Sequence, residues 1–306
     1  MSVESQGNRG TTGYLLSLSS SLTYSVWLIG SGFLILASGE NFPIFYLLII
    51  MVGGTFFSLF FGIPRTINRA TFLSVLSGIL FAIANFSMYF LIKSDDIAVA
   101  SSFAEFNVLF LPILLYLSGD RSTKFLKYSV GLFLVTFGLI VENIQSTGKY
   151  IISPLSVIVG IVMGFLYAAA TYLVYAATKG DHTSNSNIFY VFLSECGVLL
   201  IFWSILKFQI EPAPTLVYIS ISLVISVSLV VALALEVNGY RSLRPLGFRQ
   251  VTLGNILSNL ELLPVIVFSF ILYPSLRVQY TLGLFLVTVG ILVVSVDLNN
   301  FQRLHK

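Results

Sequence analysis

Long apolar runs alternate with short polar breaks along the whole chain. A helix needs about 20 apolar residues to cross the hydrocarbon of a bilayer. Charge-poor runs of that order lie at roughly 13–37, 42–62, 71–93, 97–117, 125–144, 154–178, 187–207, 215–240, 251–272 and 279–297. They predict an all-α integral membrane protein of ten transmembrane helices, because lipid offers no partner to an open backbone. The fifth run is the shortest. Only fourteen residues separate Lys127 from Glu142, so its ends must snorkel.

Two of the runs are near copies. Tyr128–Val141 reads YSVGLFLVTFGLIV and Tyr280–Val293 reads YTLGLFLVTVGILV, with nine of fourteen positions identical at an offset of 152. The same offset pairs Asn107 with Asn259 and Pro112 with Pro264. The chain therefore divides into residues 1–146 and 147–306, with five spans each. An odd number per half sends the second half in from the opposite face, so inverted repeats are expected. The linker at 145–153, QSTGKYIIS, is short, which predicts one membrane domain rather than two independent ones.

Ten spans put both termini on one side. With that side cytoplasmic, the inner loops and tails hold Arg9, Arg65, Arg69, Arg121, Lys124, Lys127, Lys179, Arg241, Arg244, Arg249, Arg303 and Lys306. The outer loops hold Lys93, Lys149, Lys207 and Arg277. Twelve against four is a positive-inside bias. It predicts a multi-pass protein of the plasma or inner membrane with cytoplasmic termini. The first twelve residues are polar, so no cleaved signal peptide is expected.

Composition sharpens this. Of 306 residues, 57% are hydrophobic and 9% charged, against roughly 25% charged in soluble domains. Mean hydropathy is +0.94. One cysteine, Cys196, excludes a disulfide framework and a cysteine-cluster metal site. The histidines, His182 and His305, fall in a predicted loop and the C-terminal tail. There is no P-loop, no HExxH and no serine–histidine pair at membrane depth, so neither enzyme chemistry nor a cofactor is expected. A net charge of +3 gives no footprint for nucleic acid.

Four carboxylates fall inside spans: Glu105, Glu195, Glu236 and Glu261. Such groups are expensive in lipid and usually face a cavity. Glu105 and Glu261 lead on symmetry. The offset maps Glu261 to position 109, one helical turn from 105 and on the same face. With no lysine or arginine at that depth, their protonated form is favoured at rest, and proton exchange against a cationic substrate is one expectation. Glu195 ranks lower. Glu236 has Arg241 five residues on and fits an interfacial network as well as a binding role.

Asn107 and Asn259 either bind substrate or tie helices together. Asn85 has Val237 at its repeat position, which weakens its case. Pro112 and Pro264 each remove a helical hydrogen bond and are candidate gating joints. Gly160 and Gly164 predict a close-packing face. So do the pairs Gly131/Gly138 and Gly283/Gly290, seven apart. Tyr24, Trp27, Tyr167, Tyr172 and Tyr175 suit an aromatic-lined cavity for apolar, aromatic or cationic solutes, or ordinary packing. Basic residues lie near the membrane faces, which argues against phosphorylated substrates.

The chain resembles the drug/metabolite transporter superfamily, of the ten-helix EamA type. The resemblance is carried by Arg241–Pro264 (RSLRPLGFRQVTLGNILSNLELLP), by Ala98–Leu114 (AVASSFAEFNVLFLPIL), and by the turn Gly119-Asp120-Arg121 before the fifth span. The second half departs from the pattern, with Tyr273-Pro274-Ser275 in place of the acidic turn. The resemblance implies a central cavity lined by the first four helices of each half, with the fifth and tenth peripheral. It implies alternating-access transport of a small metabolite or a hydrophobic or cationic compound, most simply as an exporter, with or without protons. The rival expectations are an uncoupled facilitator of a neutral metabolite and a lipid-linked flippase or membrane scaffold subunit. Either a monomer or a homodimer is compatible with the glycine faces.

Overall fold

The computed structural model describes residues 3–38, 44–62, 67–94, 100, 103–104, 106–118, 153–177, 187–206, 216–246 and 248–258, with scattered positions between 130 and 138 and between 282 and 293. Among these residues there is no strand. The helices are α1 (Val3–Ser38), α2 (Ile44–Ser58), α3 (Arg69–Ser94), α4 (Phe106–Leu117), α5 (Pro154–Ala177), α6 (Asn187–Leu206), α7 (Leu216–Leu243) and α8 (Phe248–Ser258). Short 3-10 turns extend α2 through Leu59–Phe61 and α7 through Arg244–Leu246. Among the described residues, four segments are long and apolar enough to cross a membrane: Arg69–Ile92, Pro154–Ala177, Asn187–Ile205 and Leu216–Leu246.

Local sequence sets the helix ends. Asn68 Oδ1 accepts from the Thr71 amide at 3.0 Å and starts α3. Ser153 Oγ accepts from the Ser156 amide at 3.0 Å, and Pro154 follows at the first helical position, where a missing N–H costs nothing. Past α2, Gly62 takes φ 91°, a left-handed value that favours glycine. Its amide closes the last turn on the Leu59 carbonyl at 3.0 Å.

The helix α1 begins well before the apolar run at 13–37 that predicted it. The cause is tertiary. Tyr14 packs on Tyr240, Leu243 and Val251, and Gly10 and Gly13 lie against Leu246 and Leu243. Neighbours at the ends of α7 and in α8 thus hold a polar stretch helical.

Among the described residues the helices pack in two groups of four. In one, α7 lies against α1 and α2, and α8 against α1 and α7. In the other, α3 lies against α5 and α6, and α4 against α5. The groups meet mainly along α2 and α6. Each group takes helices from both halves of the sequence. Contact register gives their directions. Gly13 meets Gly239, Ser20 meets Ala232 and Gly30 meets Ile225, so α1 and α7 are antiparallel. Ser77 meets Ala170 and Asn85 meets Tyr167, so α3 and α5 are antiparallel too. By contrast, Phe103 and Phe106 meet Gly160 and Gly164, and Phe110 meets Phe165, so α4 runs parallel to α5.

The bundle is apolar outside, and its interior mixes large apolar side chains with small and polar ones. Leu155, Ile158, Ile201, Ile205, Val217 and Val224 are exposed, while Ser17, Ser20, Ser74, Ser77, Ser222 and Ser226 are buried. Small residues let backbones approach where no hydrophobic effect drives helices together. The expected packing role of Gly160 and Gly164 is realised: a Cβ at either would run into Phe103 or Phe106. Where described, Gly131, Gly138, Gly283 and Gly290 are buried as well.

These contacts predict contrasting glycine variants. Gly160→Val should cost about 1–3 kcal/mol through overpacking. Gly197→Ala, where a Cβ meets nothing within 4 Å, should be neutral or slightly stabilising. Thermal unfolding of both proteins in detergent checks the contrast.

Candidate functional site

A cavity of about 80 Å³ lies between the two helix groups, within a partly open cleft. From the first group come Tyr24 and Trp27 of α1, Leu229, Leu233 and Glu236 of α7, and Ser258 of α8. From the second come Phe81 and Asn85 of α3, Asn107 of α4, Tyr167 and Thr171 of α5, and Phe192 and Glu195 of α6. Its walls combine aromatic rings with two carboxylates, and among the described residues the lining contains no lysine, arginine or histidine.

Each carboxylate is held by neighbours from other helices. Glu195 is 2% exposed. Its Oε1 accepts from the Asn85 amide nitrogen, and Asn85 Oδ1 accepts from the Tyr167 hydroxyl at 2.5 Å. The order of donors is consistent along the chain: hydroxyl to amide oxygen, amide nitrogen to carboxylate. Three helices, α5, α3 and α6, are joined by it. Phe81 leans on the Tyr167 ring at 6.1 Å and fixes its direction.

Glu236 is 6% exposed. Its Oε2 accepts from the Tyr24 hydroxyl at 2.8 Å and its Oε1 lies 2.6 Å from the Tyr240 hydroxyl. The same Tyr240 oxygen is 2.8 Å from Asn255 Oδ1. A hydroxyl has one proton and cannot donate to both acceptors. The second proton must come from a neutral Glu236 or from an Asn255 amide turned to present its N–H. This cluster joins α1, α7 and α8. Tyr175 of α5 packs edge-on against the Tyr240 ring at 6.4 Å.

Among the expected site residues, the cavity brings together Glu195, Glu236, Asn107, Tyr24 and Tyr167. Glu105, Glu261, Asn259 and Pro264 lie outside the described residues. Pro112 falls within the helical segment Phe106–Leu117. Glu236 is not paired with Arg241; its partners are the two tyrosines, because burial on α7 turns it toward α1 and away from the helix end. Tyr172 and Tyr175 pack in a small cluster with Leu111, Leu115 and Ala168, not on the cavity wall. Asn85 gains a central place that the repeat argument denied it. Its partners lie 82 and 110 residues away, beyond the reach of any local pattern. Asn255 was not singled out by sequence; a polar residue facing Tyr240 from the next helix has no periodic signature.

The tyrosine clamp on Glu236 predicts energetic coupling. Tyr24→Phe and Tyr240→Phe should each destabilise by about 1–3 kcal/mol, since each leaves a buried oxygen without its donor. Combined with Glu236→Gln, either loss should fall short of additivity by at least about 0.5 kcal/mol. Thermal unfolding of the single and double variants in detergent measures this, and strict additivity would reject the clamp.

The chain matches no protein-family model and no curated protein.

Proposed function

We propose that the protein is a secondary transporter of small metabolites or hydrophobic or cationic compounds, working by alternating access in the plasma or inner membrane. The observation that carries this reading is the cavity between the helix groups, walled by aromatic rings and by one buried carboxylate from each group. A cavity at the seam of two packed bodies can open to either side when they rock.

The packing supports the ten-helix, inverted-repeat, EamA-like part of the proposal. Match the helices in order, α1 with α5, α2 with α6, α3 with α7 and α4 with α8. The contact of α1 with α7 then becomes that of α5 with α3, and α2 with α7 becomes α6 with α3. The contact of α1 with α8 becomes that of α5 with α4, and α2 with α6 maps to itself. A pseudo-two-fold relation between the halves produces this exchange. The parallel course of α4 and α5 adds to it, because the chain between them must then recross the layer. That supports a fifth span at 125–144 and, with it, inversion of the second half. Cytoplasmic termini follow from the twelve-to-four distribution of basic residues.

In mechanism, Glu195 and Glu236 supply negative charge, the aromatic walls supply contact area, and Asn85, Asn107 and Thr171 orient polar parts of the solute. Protonation of either carboxylate would release a cationic solute, which supplies coupling to protons.

The test begins with a thermal-shift screen of the purified protein against amino acids, sugars, nucleosides and organic cations, since a ligand of the folded state raises its stability. The stabilising compound is then followed in counterflow across reconstituted vesicles. Flux above that of empty vesicles is expected, with Glu195→Gln and Glu236→Gln each lowering it at least about tenfold for a cation. A compound that binds but is not moved by the protein would reject transport.

A further inference from the structure

A second, smaller hollow lies beside the cavity, and its walls extend the transport proposal, on which the following rests. The hollow sits at the end of the bundle where α3 and α6 begin and α5 finishes. At about 10 Å³ it has room for roughly one water. Ser74 of α3 and Asn187 of α6 bring polar side chains to it, and Val174 of α5 faces Val237 of α7 across it. Two further residues, Val191 of α6 and Leu233 of α7, line this hollow and the large cavity alike. A side chain that faces both spaces stands between them. Val191 is 3% exposed and Leu233 4%, so the partition is aliphatic and tightly packed.

The partition also lies on the seam of the bundle. Val191 belongs to one helix group and Leu233 to the other, so any motion that parts α6 from α7 removes it. The seam continues past the hollow, where Tyr175 of α5 lies edge-on to Tyr240 of α7. Apolar and aromatic contacts of this kind can separate without stranding a polar group in the membrane. The Tyr240 hydroxyl stays with Glu236 on its own helix when the rings part. While shut, a narrow aliphatic constriction holds back water and charged solutes.

We propose that Val191 and Leu233 form the gate of the cavity toward the end where α6 begins, and that the hollow at Ser74 and Asn187 is the first station of the solute path beyond it. Arg69 starts α3 at this end, which is the end that the basic residues assign to the cytoplasm.

The test follows a membrane-impermeant thiol reagent, trimethylammonium-ethyl methanethiosulfonate, into the cavity from each face of sealed vesicles. Cys196→Ala removes the single native thiol, and Thr171→Cys places one on the cavity wall. A separate chain with Arg69→Cys, an exposed position, reports which face each vesicle preparation presents. From the Arg69 face, Val191→Ala and Leu233→Ala should each speed labelling of Thr171→Cys at least about tenfold, since each removes buried methyl groups from the shut contact. From the opposite face the rate should not change. Val230→Ala takes the same methyl groups from a position on α7 that is 1% exposed and lines neither space, and it should leave both rates unchanged. Thermal unfolding in detergent checks that each variant keeps a cooperative fold, and Leu233→Val is the milder substitute where an alanine does not.

The gate is overturned if the variants at Val191 and Leu233 leave labelling from the Arg69 face unchanged, if they speed it from both faces alike, or if Val230→Ala does as much. Failure of the transport reading looks different. If the gate variants act as expected but vesicles holding the protein exchange no compound that stabilises it, a gated cavity stands and transport falls. If such a compound is exchanged while the gate variants change nothing, transport stands and this gate falls.

Discussion

A polar group within a bilayer can be satisfied only by another group of the same protein. Much of this structure follows from that constraint. It forces the backbone into helices and turns many serines back onto their own helix, as Ser25 does onto the Ser21 carbonyl and Ser222 onto that of Tyr218. Other hydroxyls reach across an interface. Ser20 donates to the Ala232 carbonyl, Ser77 to that of Ala170 and Ser226 to that of Ile50, each between 2.8 and 2.9 Å. These cross-links fall on faces of glycine, alanine and serine, where backbones come close. Bulky residues such as Phe192, Leu34 and Met51 fill the interior between these close approaches.

The same constraint explains the carboxylates. An ionisable group at this depth needs several donors, and no single helix can present them all. Glu195 draws on α3 and α5, and Glu236 on α1 and on its own helix, with α8 behind. Each acid therefore works as a clasp for three helices as well as a wall of the cavity. The two clasps lie in different helix groups, so the groups can shift relative to one another without breaking either clasp. What changes in such a shift is the space between them.

The arrangement was partly legible beforehand. The spans at 71–93, 154–178 and 187–207 match α3, α5 and α6 within a few residues, because length and apolarity alone define a crossing. The glycine face at Gly160 and Gly164 was legible because small residues one turn apart have few other uses. The amino-terminal reach of α1 was not, since polar residues were made helical by α7 and α8. At the site, depth alone found Glu195 and Glu236. It could not rank them, because rank depends on donors such as Tyr24 and Asn85 that come from distant parts of the chain. Symmetry misdirected the reading of Asn85. Repeats preserve helix packing, whereas one cavity needs only one copy of a given side chain.

The mixing of helices from both halves bears on how the chain is made. Ser20 and Tyr24 meet partners 212 residues later in sequence. Asn85 meets Tyr167 after only 82 residues. At synthesis rates of about 5–20 residues per second, α1 waits on the order of ten to forty seconds for α7 to emerge. The group built on α3, α5 and α6 can close first. During that interval Tyr24 and the serines of α1 lack their final neighbours. The first of these helices to be made is thus among the last to be locked in place, and its polar face is the part of the nascent protein most in need of a temporary companion.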